Sequence, residues 1–277
     1  MNKIEIDHLS LDYAEKKGSF TALQDVSLTV KEGEFVSIIG SSGCGKSTLL
    51  SVLEGLNHPS SGTVKINGEP VKGCGIDRGV VFQQYSLFPW MTARNNVAFG
   101  IKQSRKELSR AERLQIADEY LKKVGLDNFG NKYPGQLSGG MQQRVAIARA
   151  LAMDTDILLM DEPFGAIDPK NRTALWELLL ELWENDSEKK KTVLFVTHDI
   201  DEAIFLSDRI IMMDSAPGRI SAEIKVPFRR PRVRTELLRS KEYNFFKNNL
   251  LNAFYNEEED VEEDNHYIES YIDKIAL

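Results

Sequence analysis

The chain has 277 residues, 42% of them hydrophobic and 28% charged, with 35 Lys plus Arg against 42 Asp plus Glu for a formal net charge of −7. That is enough apolar material for a sizeable core, and it excludes wholesale disorder and fibrous architectures. No stretch approaches the roughly 20 consecutive apolar residues of a membrane span, and Met1 to Tyr13 lacks the apolar run and cleavage site of a signal peptide, so a soluble, unexported chain is expected. The charge is uneven. Nine acidic side chains and Lys274 give residues 257 to 277 a net −8 and leave the preceding residues near +1. A body without a strong positive excess argues against a dedicated nucleic-acid binder, although Arg229, Arg230, Arg232 and Arg234 form one local basic run.

In chain order, Ile4, Ile6 and His8, then Val26, Leu28 and Val30, alternate at period two and predict an antiparallel sheet. Phe35 to Ile39 is a continuous apolar run that ends at Gly40, and Lys46 to Leu50 opens a helical pattern, so a buried strand passes through a loop into a helix. The loop between them, Gly40, Ser41, Ser42, Gly43, Cys44, Gly45, Lys46, Ser47 and Thr48, satisfies the phosphate-binding pattern G-x-x-x-x-G-K-[ST]. Its glycines let backbone N–H groups turn toward phosphate oxygens, Lys46 reaches the β- and γ-phosphates, and the Ser47 hydroxyl is placed for Mg²⁺. Cys44 and Cys74 lie among glycines in a signal-less chain, which favours reduced thiols over a disulfide.

Residues 84 to 152 hold no convincing strand but contain a capping box, Ser109 with Glu112, that opens a helix ending at Gly125. The block reads as a helical subdomain inserted into an α/β core. At its end, Leu137 to Arg144 places Ser138 as the N-cap of a helix over Met141 to Ala152, with Gly139 and Gly140 exposing N–H groups that would bind an anion. Ile157 to Met160 is an apolar strand ending in Asp161 and Glu162, and a strand alternates faces, so the two acids need different roles. Asp161 is expected in a Mg²⁺ shell, and Glu162 is expected to polarise the water that attacks a γ-phosphate. Val193 to Val196 and Ile210 to Met213 repeat the apolar run around helical patterns such as Arg172 to Trp183, which implies a parallel sheet covered on both faces.

With Leu137 to Arg144 lying between the phosphate loop and the Asp161–Glu162 strand, the chain resembles the ATPase subunits of ABC transporters over residues 4 to about 225. The resemblance implies a P-loop NTPase fold of the RecA-like kind: a parallel-sheet core, an N-terminal antiparallel β-subdomain and an inserted α-helical subdomain. It divides the chain into an ATPase domain, 1 to 228, and a helical C-terminal extension with an acidic tail, 229 to 277. It further implies that Tyr13 stacks on adenine, with Phe20 as the rival aromatic, that Gln83 is the glutamine sensing metal and γ-phosphate, that Asp168 belongs to the loop after the catalytic strand, and that His198 is the switch histidine. ATP and Mg²⁺ are the implied ligands.

The implied partners are a second copy in a head-to-tail dimer, with each phosphate loop facing Ser138, Gly139 and Gly140 of the other chain, an integral-membrane permease at the cytoplasmic face, and indirectly a solute-binding protein. The segment from Asp77 to Trp90, with Asn95 to Val97 and Ala216 to Ile220, resembles importers of nitrate, sulfonate and taurine. Phe88 and Trp90 have two readings, permease contact or burial in the helical subdomain. Exporter subunits, soluble ABC ATPases acting on ribosomes or DNA, and small-molecule kinases are the rival classes. They are disfavoured by the lack of a fused membrane span, by the single cassette, and by Leu137 to Arg144 respectively. In the tail, Glu257 to Asp264 reads as a solvated tether, and Tyr267, Ile268, Tyr271, Ile272 and Ile275 fall at helical spacing. Two readings stay open there, a frayed end or an apolar face that docks while the acids lie against the Arg229 to Arg234 run.

Overall fold

A computed structural model describes residues 1–15, 18–165, 167–185 and 190–255. The chain opens with a long hairpin, β1 (Asn2–Glu15) and β2 (Gly18–Lys31), followed by β3 (Phe35–Gly40), α1 (Lys46–Glu54), β4 (Ser61–Ile66), β5 (Glu69–Pro70) and β6 (Arg78–Val81). Three helices come next, α2 (Ala93–Ser104), α3 (Arg110–Lys123) and α4 (Gly139–Ala152). The remaining elements are β7 (Ile157–Asp161), α5 (Pro169–Asn185), β8 (Thr192–Val196), α6 (Ile200–Leu206), β9 (Arg209–Asp214), β10 (Arg219–Lys225), α7 (Arg234–Leu237) and α8 (Lys241–Tyr255).

Two sheets result. The first is antiparallel in the order β2-β1-β4-β5, and the second runs β10-β9-β3-β8-β7-β6, parallel throughout except for the antiparallel edge pair β10 and β9. The central strands are buried along their length because both faces are covered, and their side chains divide at period two. Val36 and Ile38 of β3, Leu194 and Val196 of β8, and Ile211 and Met213 of β9 pack with α1 and the antiparallel sheet. Phe35, Val193, Phe195, Leu158 and Met160 face the other way, into Leu175, Trp176 and Leu179 of α5 and the helices α2 to α4. A third cluster joins Ile39, Ile210 and Met212 to α6 and to Tyr243, Phe246 and Leu250 of α8.

The α3 capping box forms as predicted, with Ser109 Oγ accepting from Glu112 N and the Glu112 carboxylate accepting from Ser109 N. Between residues 84 and 152 the described elements are helical. One sequence expectation fails. His8 does not continue the inward row of Ile4 and Ile6: a register shift between Ile6 and Leu9 gives His8 a φ of 48°, exposes it, and puts Leu9 in the core. Of the basic run Arg229 to Arg234, Arg229 is exposed and two other members are engaged within the fold. Arg230 pairs with Asp208 at 2.7 Å and lies over the Trp183 ring, while Arg232 is buried and donates to the carbonyls of Ile204, Phe205, Ser207 and Phe228. The acidic stretch and the apolar residues after it lie outside the described residues.

Candidate active site

The phosphate-loop pattern lies between β3 and α1. At Gly40 a Cβ would come 2.4 Å from the Met213 carbonyl and 2.5 Å from Cys44 Sγ, so the close approach of β9 requires a residue without a side chain. Gly43 and Gly45 hold φ of 84° and 94°, the left-handed region that glycine enters at little cost. Thr92, Ser109, Ser138 and Asp199 cap α2, α3, α4 and α6 with their side chains, whereas α1 starts at Gly45 with no side-chain cap. Its first N–H groups and the positive end of its dipole are therefore left for an anion. Lys46 is buried and donates from Nζ to the carbonyls of Gly40 at 2.8 Å and Ser41 at 2.9 Å. The Ser41 hydroxyl is buried with no partner. A glycine cradle, a buried cation and an unpaired hydroxyl together fit a polyphosphate. Cys44 is fully buried, and burial pushes its thiol above the ordinary value, so it serves as a small neutral packing group.

Strand register brings the remaining chemistry to the same edge. Val81 pairs with Met160, Asp161 with Val196, and Val196 with Ile38, so the residues just past β6, β7 and β8 gather beside the loop that leaves β3. Ser47 Oγ donates to Asp161 Oδ1 at 3.1 Å. Burial raises the Asp161 carboxyl above its usual range and the Ser47 bond opposes this. A hydroxyl and a carboxylate in contact form a hard oxygen pair that suits Mg²⁺. Glu162 has a φ of 40°, a conformation costly for a side-chain-bearing residue, held by its N–H donating to Val196 O at 2.9 Å. That turn sends the second acid elsewhere: Glu162 Oε2 accepts from Gln83 Nε2 at 3.2 Å and lies 3.3 Å from His198 Nδ1.

A cavity of about 340 Å³ opens over these groups, lined by Tyr13, Phe20, Ala22, Ser42, Gly43, Gly45, Lys46, Ser47, Thr48, Gln83 and Glu162. Tyr13 and Phe20 are cross-strand partners in the β1–β2 hairpin, so the two rival aromatics form a single wall. Asn57 Nδ2 donates to the Tyr13 hydroxyl at 3.1 Å. Ser138, Gly139, Gly140 and Asp168 do not line this cavity. Ser138 Oγ accepts from Met141 N at 3.3 Å at the start of α4, and the Asp168 carboxylate accepts from the backbone and side-chain nitrogens of Asn171 before α5.

Sequence reading missed a buried cluster behind His198. Glu202 of α6 accepts from Trp176 Nε1 at 2.5 Å and from the Thr197 hydroxyl, and burial pushes its carboxyl up to about 8. In sequence it looks like any acid in the first turn of a helix, where the dipole favours it. Glu54 was missed too, its carboxyl raised to about 7 by burial and by the charge of Asp161. On the helical face, a second cavity of about 350 Å³ is bounded by Trp90, Met91, Phe99, Lys102, Arg110 and Arg113. Trp90 is 70% exposed and rests on Phe88, which packs edge-on against Phe99 at 4.7 Å. Burial in the subdomain therefore fails for Trp90 and holds in part for Phe88.

Comparison with known proteins places the chain in a family. A family described as ABC transporter matches residues 23–165. The nitrate import ATP-binding protein of Synechococcus elongatus is 45% identical over 253 residues, 91% of this chain and 91% of the relative. The bicarbonate transport ATP-binding protein of Synechocystis is also 45% identical, over 254 residues, 91% of this chain and 89% of that one. Among solved structures, a dimeric ATP-binding cassette in a post-hydrolysis state, bound to ADP and phosphate, superposes with a TM-score of 0.72 at 40% identity, covering 80% of this chain and 98% of that one.

Proposed function

The chain belongs to the ABC transporter family and is an ATP-binding, ATP-hydrolysing transport subunit of P-loop NTPase fold, and from that premise we propose that it is the motor of an importer that takes up a small solute through a separate permease. One observation carries the hydrolytic part of the reading, a Glu162 carboxylate bracketed by Gln83 and His198, beside a Ser47–Asp161 pair and a buried Lys46, and the relatives named for import support the rest.

In the proposed site, Gly40 to Thr48 wrap the phosphates by backbone N–H groups, Lys46 neutralises the β- and γ-phosphates, and Tyr13 with Phe20 flanks the adenine. Mg²⁺, held by Ser47, Asp161 and Gln83, would supply charge neutralisation at the leaving phosphates. Glu162 accepts the proton of the attacking water, and Gln83 and His198 orient the carboxylate and the γ-phosphate. Ser138, Gly139 and Gly140, remote from this cavity, face the phosphates of a second copy in a head-to-tail dimer, with Asp168 at the same seam. The dimeric state of the similar cassette bound to ADP and phosphate supports this arrangement.

The permease is proposed to sit on the groove beside Trp90 at the cytoplasmic face of the membrane, with the solute-binding protein acting through it. Among the described residues no helix is long and apolar enough to cross a membrane, in keeping with a peripheral subunit and a separate permease. Relatives named for nitrate and for bicarbonate share equal identity with this chain, and both solutes are small anions. The solute class proposed is nitrate-, sulfonate- or taurine-like. We also propose the ATPase domain as residues 1–228, with about 84–152 as its helical insert, and the extension from 229, whose α8 packs on α6. The test is reconstitution with the permease in vesicles. ATP-driven uptake of one of these solutes, abolished by Glu162→Gln, is expected, and hydrolysis without any uptake on pairing would overturn the importer reading.

A further inference from the structure

His198 sits past the end of β8 on a short stretch of chain, with its side chain more than half exposed. What holds it is the cluster behind it. Thr197 is buried, its N–H donates to Ile38 O at 3.1 Å, its hydroxyl donates to Glu202 Oε2, and its Oγ accepts from Asp199 N at 3.0 Å. Glu202 Oε1 accepts from Trp176 Nε1 of α5. Asp199 spends one oxygen capping Glu202 N at 3.2 Å and the other on Arg172 Nη1 at 3.2 Å, and Arg172 Nη2 donates to Ile167 O at 3.1 Å, one residue before Asp168. Of the two neighbours of His198 in the chain, Thr197 is thus tied to the Glu202 carboxyl and Asp199 to the Glu202 backbone N–H.

We propose that Glu202 is a positioning residue of the hydrolytic site: through Thr197 it fixes the backbone that presents His198 to Glu162 and the γ-phosphate, and through Asp199 and Arg172 the same cluster registers the Ile167–Asp168 segment. The inference rests on the reading of His198 as the group facing the γ-phosphate. Packing alone does not account for the acid, since a leucine of similar volume would fill the space between α5 and α6 without the desolvation cost of a buried carboxyl. The two oxygens of a carboxyl at fixed separation do what a leucine cannot, joining an indole N–H on one element to a hydroxyl on another. The raised affinity of the carboxyl for its proton leaves it mostly neutral at pH 7; in that form one oxygen accepts from the Trp176 indole and the other carries the proton shared with the Thr197 oxygen, a pattern that the C=O and NH2 of an amide reproduce.

Steady-state and single-turnover ATPase assays, with nucleotide affinity measured in parallel by a fluorescent ATP analogue, test the proposal. Glu202→Gln is expected to keep kcat within about twofold, while Glu202→Leu and Thr197→Val lower kcat about tenfold at unchanged ATP affinity, because sub-ångström misplacement of a group acting on the transition state costs rate and not binding. In a His198→Ala background neither substitution should lower kcat further. Wild-type kcat in both variants, an equal loss in the His198→Ala background, or a fall in affinity matching the fall in kcat would overturn it. Thr197→Val, which keeps volume and β-branching, carries the test if Glu202→Leu does not fold. Wild-type kcat in His198→Ala overturns the reading of His198 and this proposal together, whereas a low kcat there beside an unaffected Thr197→Val overturns the proposal alone.

Discussion

The phosphate loop and the Ser138 segment use one device, a glycine-flanked helix start, and the fold leaves them in opposite conditions. At α1 the helix begins on Gly45 with no side-chain cap, Lys46 is buried against the loop's own carbonyls, and the surrounding cavity holds a carboxylate, an amide and two aromatics. At α4 the helix is capped by Ser138, a Cβ at Gly139 would come 2.8 Å from the Tyr85 hydroxyl, and none of the three residues reaches the cavity. The difference teaches that a glycine-flanked helix start is left open to a cavity in the first region and lies capped and away from that cavity in the second. In the proposed dimer the first region does the chemistry and the second closes it.

The largest expected effect breaks the first region. Glu162→Gln keeps the shape but cannot accept a proton, so turnover should fall by about 10² to 10⁴ while ATP binding survives. A wild-type rate would remove Glu162 as the base. Lys46→Ala should act on binding instead, with a loss of about 2 kcal/mol, roughly thirtyfold in Kd by calorimetric titration, since a buried cation bonded to phosphate is lost. Unchanged affinity would sink the phosphate-loop assignment.

A smaller effect concerns the support behind the site. The Glu202 carboxyl has its affinity for protons raised from the ordinary 4.5 to about 8, chiefly by burial, with Asp199 and Arg172 as its charged neighbours. The folded state thus holds a proton that the unfolded chain has released between those values, and linkage makes the contribution of Glu202 to stability full below about pH 4.5 and progressively lost as pH rises to about 8. Urea midpoints at several pH values should show wild type losing ground to Glu202→Gln across that window. Parallel curves would contradict the protonated state assigned here.

The smallest effect is expected at the helical face. Trp90→Ala should change the stability of the isolated subunit by no more than about 0.5 kcal/mol and leave basal hydrolysis intact, because the ring is exposed, while permease association weakens. Marked loss of thermal stability would return Trp90 to the subdomain's packing.

Legibility from sequence followed the range of the interactions. The phosphate loop, the Ser109–Glu112 box and the Ser138 cap are set by residues within a few positions of one another, and each formed where its pattern lay. The strand pair β4 and β5 left no usable trace, since Ser61–Ile66 is short and half polar and exists only because β1 pairs with it. His8 looked inward by alternation, and the bulge that overrides it is set by β2 and β4 together. Arg230 and Arg232 read only as members of a local basic run because, the Phe228 carbonyl apart, the carbonyls and carboxylates that hold them lie more than twenty residues away. Glu202 was hidden for the same reason: the indole that turns it into a buried anchor belongs to another helix.

The central claim, that the catalytic face and its opposing wall come from different chains, is tested most directly by mixing two inactive subunits. Lys46→Ala spoils the phosphate loop, and Ser138→Arg blocks the facing segment with a bulky side chain. Heterodimers of the two retain one interface with both halves intact, so the account predicts hydrolysis clearly above the sum of the separate variants once heterodimers are verified by mass. Activity no greater than that sum, in verified heterodimers, would contradict it.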